Sequence, residues 1–329
     1  MIITQTPLRI SFAGGGTDLQ DFYNNEDGKV ISTAIDKFIF VIVNERFDEK
    51  IYVNYSKKEI VDNIDDIQHE LVREALRKTG IRNGVEITML ADIPSEGSGL
   101  GSSSSLTVGL LNAFYMYHGE QVTAERLARE ACEIEIDLCG KPIGKQDQYI
   151  AAYGGVREFT FRRDGSVGVE KIELDPAHFR RLGSGLLLFF TNLTRKSSEI
   201  LTEQKQKTTD KLEALQKLKA FVPMVRNAIE QRAYQVIGEI LHESWQIKQR
   251  LASKISNDTI EDLYDIARSA GALGGKVAGA GGGGFLLLYV ARDKQDAVRS
   301  ALKGSRELPF LLEQDGSKVI FNQRRYPAR

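Results

Sequence analysis

The stretch Pro94-Ser-Glu-Gly97-Ser-Gly99-Leu-Gly101-Ser-Ser-Ser-Ser105 decides the fold. It follows the strand-like segment Val85–Ala91, rich in β-branched residues, and runs into a helical pattern over Ser103–His118. Glycines at 97, 99 and 101 let backbone N–H groups approach an anion closely, and the helix start adds unpaired donors and a positive dipole end. The run of hydroxyls Ser102–Ser105 supplies further donors for phosphate oxygens and an oxygen ligand for Mg²⁺. The turn reads as a phosphate cradle; the ordinary alternative, a flexible Gly/Ser loop, is disfavoured by the strand before it and the helix after it.

Outward from this turn, the N-terminal half mixes the two periodicities. Ile2–Thr6, Leu8–Ala13, Val30–Ala34, Phe38–Arg46 and Ile51–Tyr55 read as strands, and Asp66–Thr79 and Thr123–Leu138 as amphipathic helices. Strand patterns at Val156–Phe161, Val167–Ile172 and Leu186–Phe190 follow, then a long charged helical pattern over Ser197–Leu251 with a break expected near Pro223. A helix at Asp258–Ala270 leads into the glycine run 271–284, and Phe285–Val290, Leu308–Leu312 and Val319–Asn322 read as strands around a helix at Asp293–Lys303. The class is α+β, with two domains expected at 1–178 and 179–329.

The 329 residues are 42% hydrophobic and 27% charged with a net charge of −1, which fits a globular chain and gives no electrostatic ground for a nucleic-acid or membrane partner. No apolar run reaches the length of a membrane span, and the first residues lack a signal-peptide pattern, so a cytoplasmic location is expected. Cys132 and Cys139, two helical turns apart, are expected as reduced thiols.

Familiar nucleotide signatures do not fit. The turn at 97–105 lacks the Gly-Lys-(Ser/Thr) ending of a Walker A loop. Gly279, Gly281 and Gly284 satisfy GxGxxG but precede a strand where a dinucleotide fold requires a helix, so this run reads as backbone closely approaching other backbone or a substrate. The tripeptides His-Arg-Asp and Asp-Phe-Gly of protein kinases are absent.

Three segments in order, Pro7-Leu-Arg9-Ile-Ser-Phe-Ala-Gly14-Gly-Gly-Thr-Asp18, Gly97–Ser105 and Ala278–Gly284, resemble the three motifs of the GHMP kinases, over nearly the whole chain. Within that family, Gly140-Lys-Pro-Ile-Gly-Lys-Gln-Asp-Gln-Tyr149 and Thr194-Arg-Lys-Ser-Ser-Glu-Ile200 look most like the branch acting on heptose 7-phosphate. Galactokinases carry Glu-His where this chain has Gly15 and Gly16, a departure that puts galactose in doubt.

The resemblance implies an N-terminal domain like ribosomal protein S5 domain 2, a ferredoxin-like C-terminal domain, and ATP with Mg²⁺ as cofactors. It implies ATP phosphates on Gly97, Ser98, Gly99, Leu100, Gly101, Ser102, Ser103 and Ser104, and Mg²⁺ between Ser103 and Glu135. Asp147 matches the family's catalytic aspartate, and Arg9 is implied beside the transferring phosphoryl group or the base. Gly15, Gly16, Thr17, Asp18, Gly281 and Gly282 are expected around the sugar.

Lys145, two residues before Asp147, is a candidate for holding that carboxylate ionised, against an ordinary solvated lysine. A phosphorylated sugar asks for a second anion site, for which Arg195 and Ser197 at an expected helix start are candidates; the alternative is a capped helix with basic residues in its first turn. The expected reaction is γ-phosphoryl transfer from ATP to the anomeric hydroxyl of a heptose 7-phosphate. Its rivals are a 1-kinase for free fucose- or galactose-type sugars and a non-catalytic nucleotide- or sugar-binding regulator. Partners beyond these small molecules are limited to a second copy in a homodimer.

Overall fold

Pro7 lacks an N–H for a strand ladder, which is why the sequence suggests a break there. In the computed structural model the chain passes it at a bulge instead, and one strand, β1, spans Ile2–Ala13. Its partner β2 runs unbroken over Gly28–Glu45; the register steps from Pro7 opposite Phe38 to Leu8 opposite Ile35. The structure describes residues 1–94, 97–193, 200, 202, 211–252 and 254–323.

These two long strands are the spine of a nine-stranded sheet. Its main path is β12 (Lys318–Asn322), β1, β2, β5 (Val85–Ala91), β3 (Ile51–Asn54) and β4 (Lys58–Val61). The first part of β2 also pairs with β6 (Val156–Phe161), which carries β7 (Val167–Lys171), and β11 (Leu312–Glu313) pairs with the middle of β2. Among the described strands every pairing is antiparallel except β3 with β5. The last of the described strands thus lies in the sheet built by the first.

The helix after the glycine turn, α3 (Ser102–His118), follows the short α1 (Gln20–Tyr23) and α2 (Glu70–Thr79) and lies on β1 and β2, burying Val108, Leu111 and Phe114. Beside it pack α4 (Ala124–Cys132) and α5 (Gln146–Tyr153), the latter absent from the sequence expectation. The helix expected over Thr123–Leu138 changes character part-way, from α4 to a π-helical turn at Glu133–Leu138. Such turns are inserted at the cost of regular hydrogen bonding and cluster at functional positions.

A second, antiparallel sheet runs β8 (Leu186–Phe190), β10 (Phe285–Val290), β9 (Ala272–Val277). Its β8 edge is extended by backbone bonds from Phe190 to Arg306 (2.8 Å) and from Leu308 to Leu188 (2.8 Å). The strand expected at Leu308–Leu312 is therefore divided: one end edges the small sheet and the other, as β11, joins the large one. After α6 (Pro176–Ser184), capped by Asp175, the helices α7 (Leu212–Glu230) and α8 (Tyr234–Lys248) link the sheets, α7 packing on β1 and β2 and α8 on β1 and β9.

The expected break at Pro223 does not occur: α7 runs through it, and the chain turns at 231–233, where Arg232 has φ 59°. A proline removes a single helix bond, and Val222 and Val225, fully buried beside it, hold the helix in place. Trp245 is fully buried on α8, and α9 (Asp258–Ser269) and α10 (Gln295–Ala301) follow it.

Candidate active site

A cavity of about 760 Å³ opens between the two sheets. One wall is the glycine turn. Gly97, Gly99 and Gly101 all have positive φ, and Gly101 caps α3 without any side chain bonding the helix start, so the first-turn N–H groups border the cavity beside Ser102, Ser103 and Ser104. The turn is held from behind by the third glycine segment. A Cβ on Gly99 would sit 2.5 Å from the Ala278 carbonyl oxygen, and one on Gly279 2.7 Å from that of Gly99. This is the backbone-on-backbone approach expected of the run at 279–284. Ser105 ties the helix to the first motif by donating to the Pro7 carbonyl at 2.7 Å.

Leu100 departs from its expected role. Its side chain is fully buried and its carbonyl accepts from the Arg9 N–H at 3.0 Å, so it anchors the turn and does not face the cavity.

Asp147 stands in the first turn of α5 and Arg9 on β1, and the two meet as a fork. Nε donates to Oδ1 at 2.8 Å and Nη2 to Oδ2 at 2.7 Å. The third branch, Nη1, donates to the Gly99 carbonyl at 2.5 Å, joining the pair to the glycine turn. The carboxylate keeps 24% of its side-chain surface exposed while Arg9 keeps 5%, so the acid is the accessible partner. Each carboxylate oxygen retains a further lone pair for a substrate hydroxyl. Lys145 takes no part: its Nζ donates to the Gly165 carbonyl at 2.8 Å and lies 4.9 Å from the centroid of the Tyr23 ring. The cation that holds Asp147 is Arg9.

Asp18 is buried in the turn after β1. It accepts from Gly16 N–H at 3.1 Å and from the Gln146 backbone and side chain at 3.3 and 3.2 Å. Burial, reinforced by the nearby Asp147 charge, pushes its carboxyl above the usual range. Gly15 and Gly16 border the same space, and around Gly15 nothing stands within 4 Å of where a side chain would begin. Thr17 is structural. Its hydroxyl hydrogen is shared between the carbonyls of Gly14 and Lys29, each 2.8 Å away, and its oxygen accepts from Lys29 N–H at 3.0 Å, which closes the turn; Thr17 is fully buried and does not line the cavity. Gly281 lines the cavity, whereas Gly282 spends its N–H on the Ile255 carbonyl at 2.7 Å and does not. Arg195 and Ser197 lie outside the described residues.

Glu135 projects from the π-helical turn and is fully buried. Ser103 donates to one of its oxygens and Gln148 Nε2 to the other at 2.7 Å. Burial raises its carboxyl above the ordinary value, against the pull of Lys141. The Lys141 ammonium stands 3.2 Å from Ser103 Oγ, 3.8 Å from Glu135 and 3.3 Å from Glu70, which marks this corner as a place where positive charge is welcome. A carboxylate and a hydroxyl are hard oxygen donors, the set that Mg²⁺ takes when phosphates and water complete its shell.

Comparison with known proteins gives the same reading. The GHMP kinases N-terminal domain matches residues 66–155 and the GHMP kinases C-terminal domain residues 225–306. A D-glycero-alpha-D-manno-heptose 7-phosphate kinase of Campylobacter jejuni is 32% identical over 92% of this chain and 93% of its own. The chain belongs to the GHMP kinases. Among solved structures, a putative sugar kinase from Campylobacter jejuni, 27% identical, superposes with TM-score 0.74 over 97% of both chains. The crystal structure described as a D-glycero-D-manno-heptose 1-phosphate kinase from Bacteroides thetaiotaomicron, 24% identical, has the same fold, with TM-score 0.83 over 98% of this chain and all of that one. This GHMP kinase is accordingly a sugar kinase, a phosphotransferase with an alcohol acceptor and ATP as donor. Among its described residues no helix is long and apolar enough to cross a membrane.

The structure also brings residues to the site that the sequence reading passed over. Lys141, Gln146, Gln148, Ser244, Lys248 and Lys276 border the cavity or hold its acids. The one local signal among them is Lys276, a charge inside the otherwise uncharged strand β9; Lys141 lies in the loop before α5 and the others sit on helices, where distant parts of the chain set their contacts.

Proposed function

We propose that this GHMP kinase transfers the γ-phosphoryl group of ATP to the anomeric hydroxyl of D-glycero-D-manno-heptose 7-phosphate, giving the 1,7-bisphosphate for nucleotide-activated heptose synthesis. What carries the reading is the Arg9–Asp147 fork set between the glycine turn and Asp18, in one cavity, in a chain 32% identical to a kinase of that name. Nucleotide phosphates would rest on the Gly97–Ser104 turn, where main-chain N–H groups offer fixed donors. Asp147 accepts the proton of the attacking hydroxyl as that oxygen bonds to the γ-phosphorus and the bond to ADP breaks. Arg9 orients Asp147 and places a guanidinium beside the charge that develops. Asp18 and the open space over Gly15, beside Gly16, would hold the sugar.

Glu135 and Ser103 would hold Mg²⁺, which, when bound, neutralises phosphate charge. We propose the division of the chain at 178/179, with Leu312–Asn322 returning to the large sheet, a cytoplasmic location, and a homodimer as assembly. The test is an ADP-release screen over free and phosphorylated hexoses and heptoses with ATP and Mg²⁺. Heptose 7-phosphate is expected to give the highest kcat/KM; a free sugar, fucose above all, exceeding it ends the proposal.

A further inference from the structure

Two lysines bring charge into the cavity that the transfer chemistry above does not use. Lys276, on β9, is 5% exposed and donates to Ser11 Oγ at 3.0 Å. Lys248, at the end of α8, donates to the Gly279 carbonyl. Both line the cavity, and among the described residues no carboxylate lies within 4 Å of either. Burial, with Lys248 and Arg9 as nearby like charges, pushes Lys276 well below the ordinary lysine range; burial and Arg9 bring Lys248 down to about 8, against the pull of Asp18 and Asp147. One helical turn before Lys248, Ser244 also lines the cavity; it is 4% exposed, and its buried hydroxyl has no hydrogen-bond partner among the described residues.

A buried cation, a half-buried one and an orphaned hydroxyl around one space are costly when that space holds only neutral groups. A phosphate group meets each need at once, with two negative charges and oxygens that accept from ammonium and hydroxyl donors together. We propose that Lys248, Lys276, Ser244 and Ser11 form a phosphate-binding subsite that receives the phosphate already carried by the acceptor sugar. This rests on the sugar-phosphate reading of the acceptor. The other source of the same chemistry is the γ-phosphoryl group of ATP. The acceptor's phosphate is favoured because the nucleotide has its own cradle at Gly97–Ser104, whereas these lysines come from β9 and α8 and flank the sugar side, where Lys248 feels Asp18 and Asp147.

The test is steady-state ADP release by the full chain and by Lys276→Met, Lys248→Met and Ser244→Ala, with heptose 7-phosphate and with the unphosphorylated heptose, together with inhibition of the unaltered protein by inorganic phosphate. Each lysine variant is expected to raise KM for heptose 7-phosphate by about 30-fold and to shift KM for ATP by less than about twofold. The preference for the phosphorylated over the free sugar then collapses, and phosphate inhibits competitively against heptose 7-phosphate and not against ATP. A rise in KM for ATP with both acceptors alike assigns the pair to the transferring group and overturns the subsite, as does an unchanged KM for every substrate. Where a lysine variant fails to fold, Ser244→Ala and the phosphate inhibition pattern decide by the same criteria. Failure of the underlying reading shows separately, as equal kcat/KM of the unaltered protein for the two sugars.

Discussion

Arg9 and Asp147, 138 residues apart, grip each other through two parallel hydrogen bonds of 2.8 and 2.7 Å. The fork sets the carboxylate in one orientation and leaves its outer lone pairs to a substrate. Asp147→Asn should therefore lower kcat by about 10²–10⁴-fold with little change in KM for ATP, because the amide keeps one bond to Arg9 and loses the base. Arg9→Lys should also cost rate, since an ammonium cannot span both oxygens and the Gly99 carbonyl. Initial rates of ADP release check both, and Asp147→Asn turning over like the unaltered protein would remove Asp147 from the chemistry.

Glu135 is held by Ser103 and Gln148 on opposite oxygens. In Glu135→Gln the amide can keep its oxygen toward Gln148 only by turning its N–H₂ toward Ser103, so the metal corner loses its charge and one oxygen ligand. The Mg²⁺ concentration for half-maximal rate should rise by about 10- to 100-fold, and saturating Mg²⁺ should restore part of kcat. A Mg²⁺ titration that superposes on that of the unaltered protein would place the ion elsewhere.

How far the sequence foretells this site depends on the range of the contact involved. The glycine turn is legible from its own glycine and hydroxyl spacing, whereas Arg9, Asp147, Asp18 and Glu135 stand out only through the resemblance of their segments to the family's motifs. Their mutual geometry is not legible. Lys145 looked like the partner of Asp147 because it is near in sequence, yet two residues at a helix start point about 200° apart, and the cation that arrives comes from β1. Thr17 and Gly282 sit inside motifs but spend their polar groups on closing turns. The helix α5 leaves no signature in the sequence because Gln148, Tyr149, Ile150, Ala151 and Ala152 are buried in succession, which erases the one-sided apolar pattern by which a surface helix is recognised. Lys276 reaches Ser11 across 265 residues of chain, a separation that no local pattern records.

Gly144 stands where a Cβ would lie 2.0 Å from Asp18 Oδ2. Gly144→Ala should displace the carboxylate and raise KM for the sugar by about tenfold or more while KM for ATP stays within about twofold. Equal effects on both substrates would mean that Asp18 is not a sugar ligand.

Asp18 also makes a stability prediction. Its carboxyl is raised in the folded protein by burial and by Asp147, so the folded state holds a proton more tightly than the unfolded one. The stability this contributes is fully present below the ordinary aspartate value of about 4 and is lost as pH rises through the folded value. Asp18→Asn carries no charge to bury, so its stability relative to the unaltered protein should increase between about pH 4 and 7. Urea midpoints across that range check the sign; a difference that does not change with pH would show that Asp18 is not the group responsible.

The lysine subsite predicts the alkaline limb of acceptor binding. Lys248 is pushed down to about 8 by burial and by Arg9 on β1, against the opposite pull of Asp18 in the turn after β1 and Asp147 on α5; Lys276 on β9 is its other cationic neighbour. Below that value it carries its proton, and a sugar phosphate is a dianion above its second ionisation near about 6. Binding is strongest where both charges are present. KM for heptose 7-phosphate should therefore be lowest between about pH 6.5 and 8 and climb by up to about tenfold per unit above 8, because each molecule bound must then return a proton to the lysine. Lys248→Met should lack this limb altogether. A KM for the phosphorylated sugar that stays flat from pH 7 to about 9.5 would mean that the ammonium of Lys248 does not hold the acceptor's phosphate.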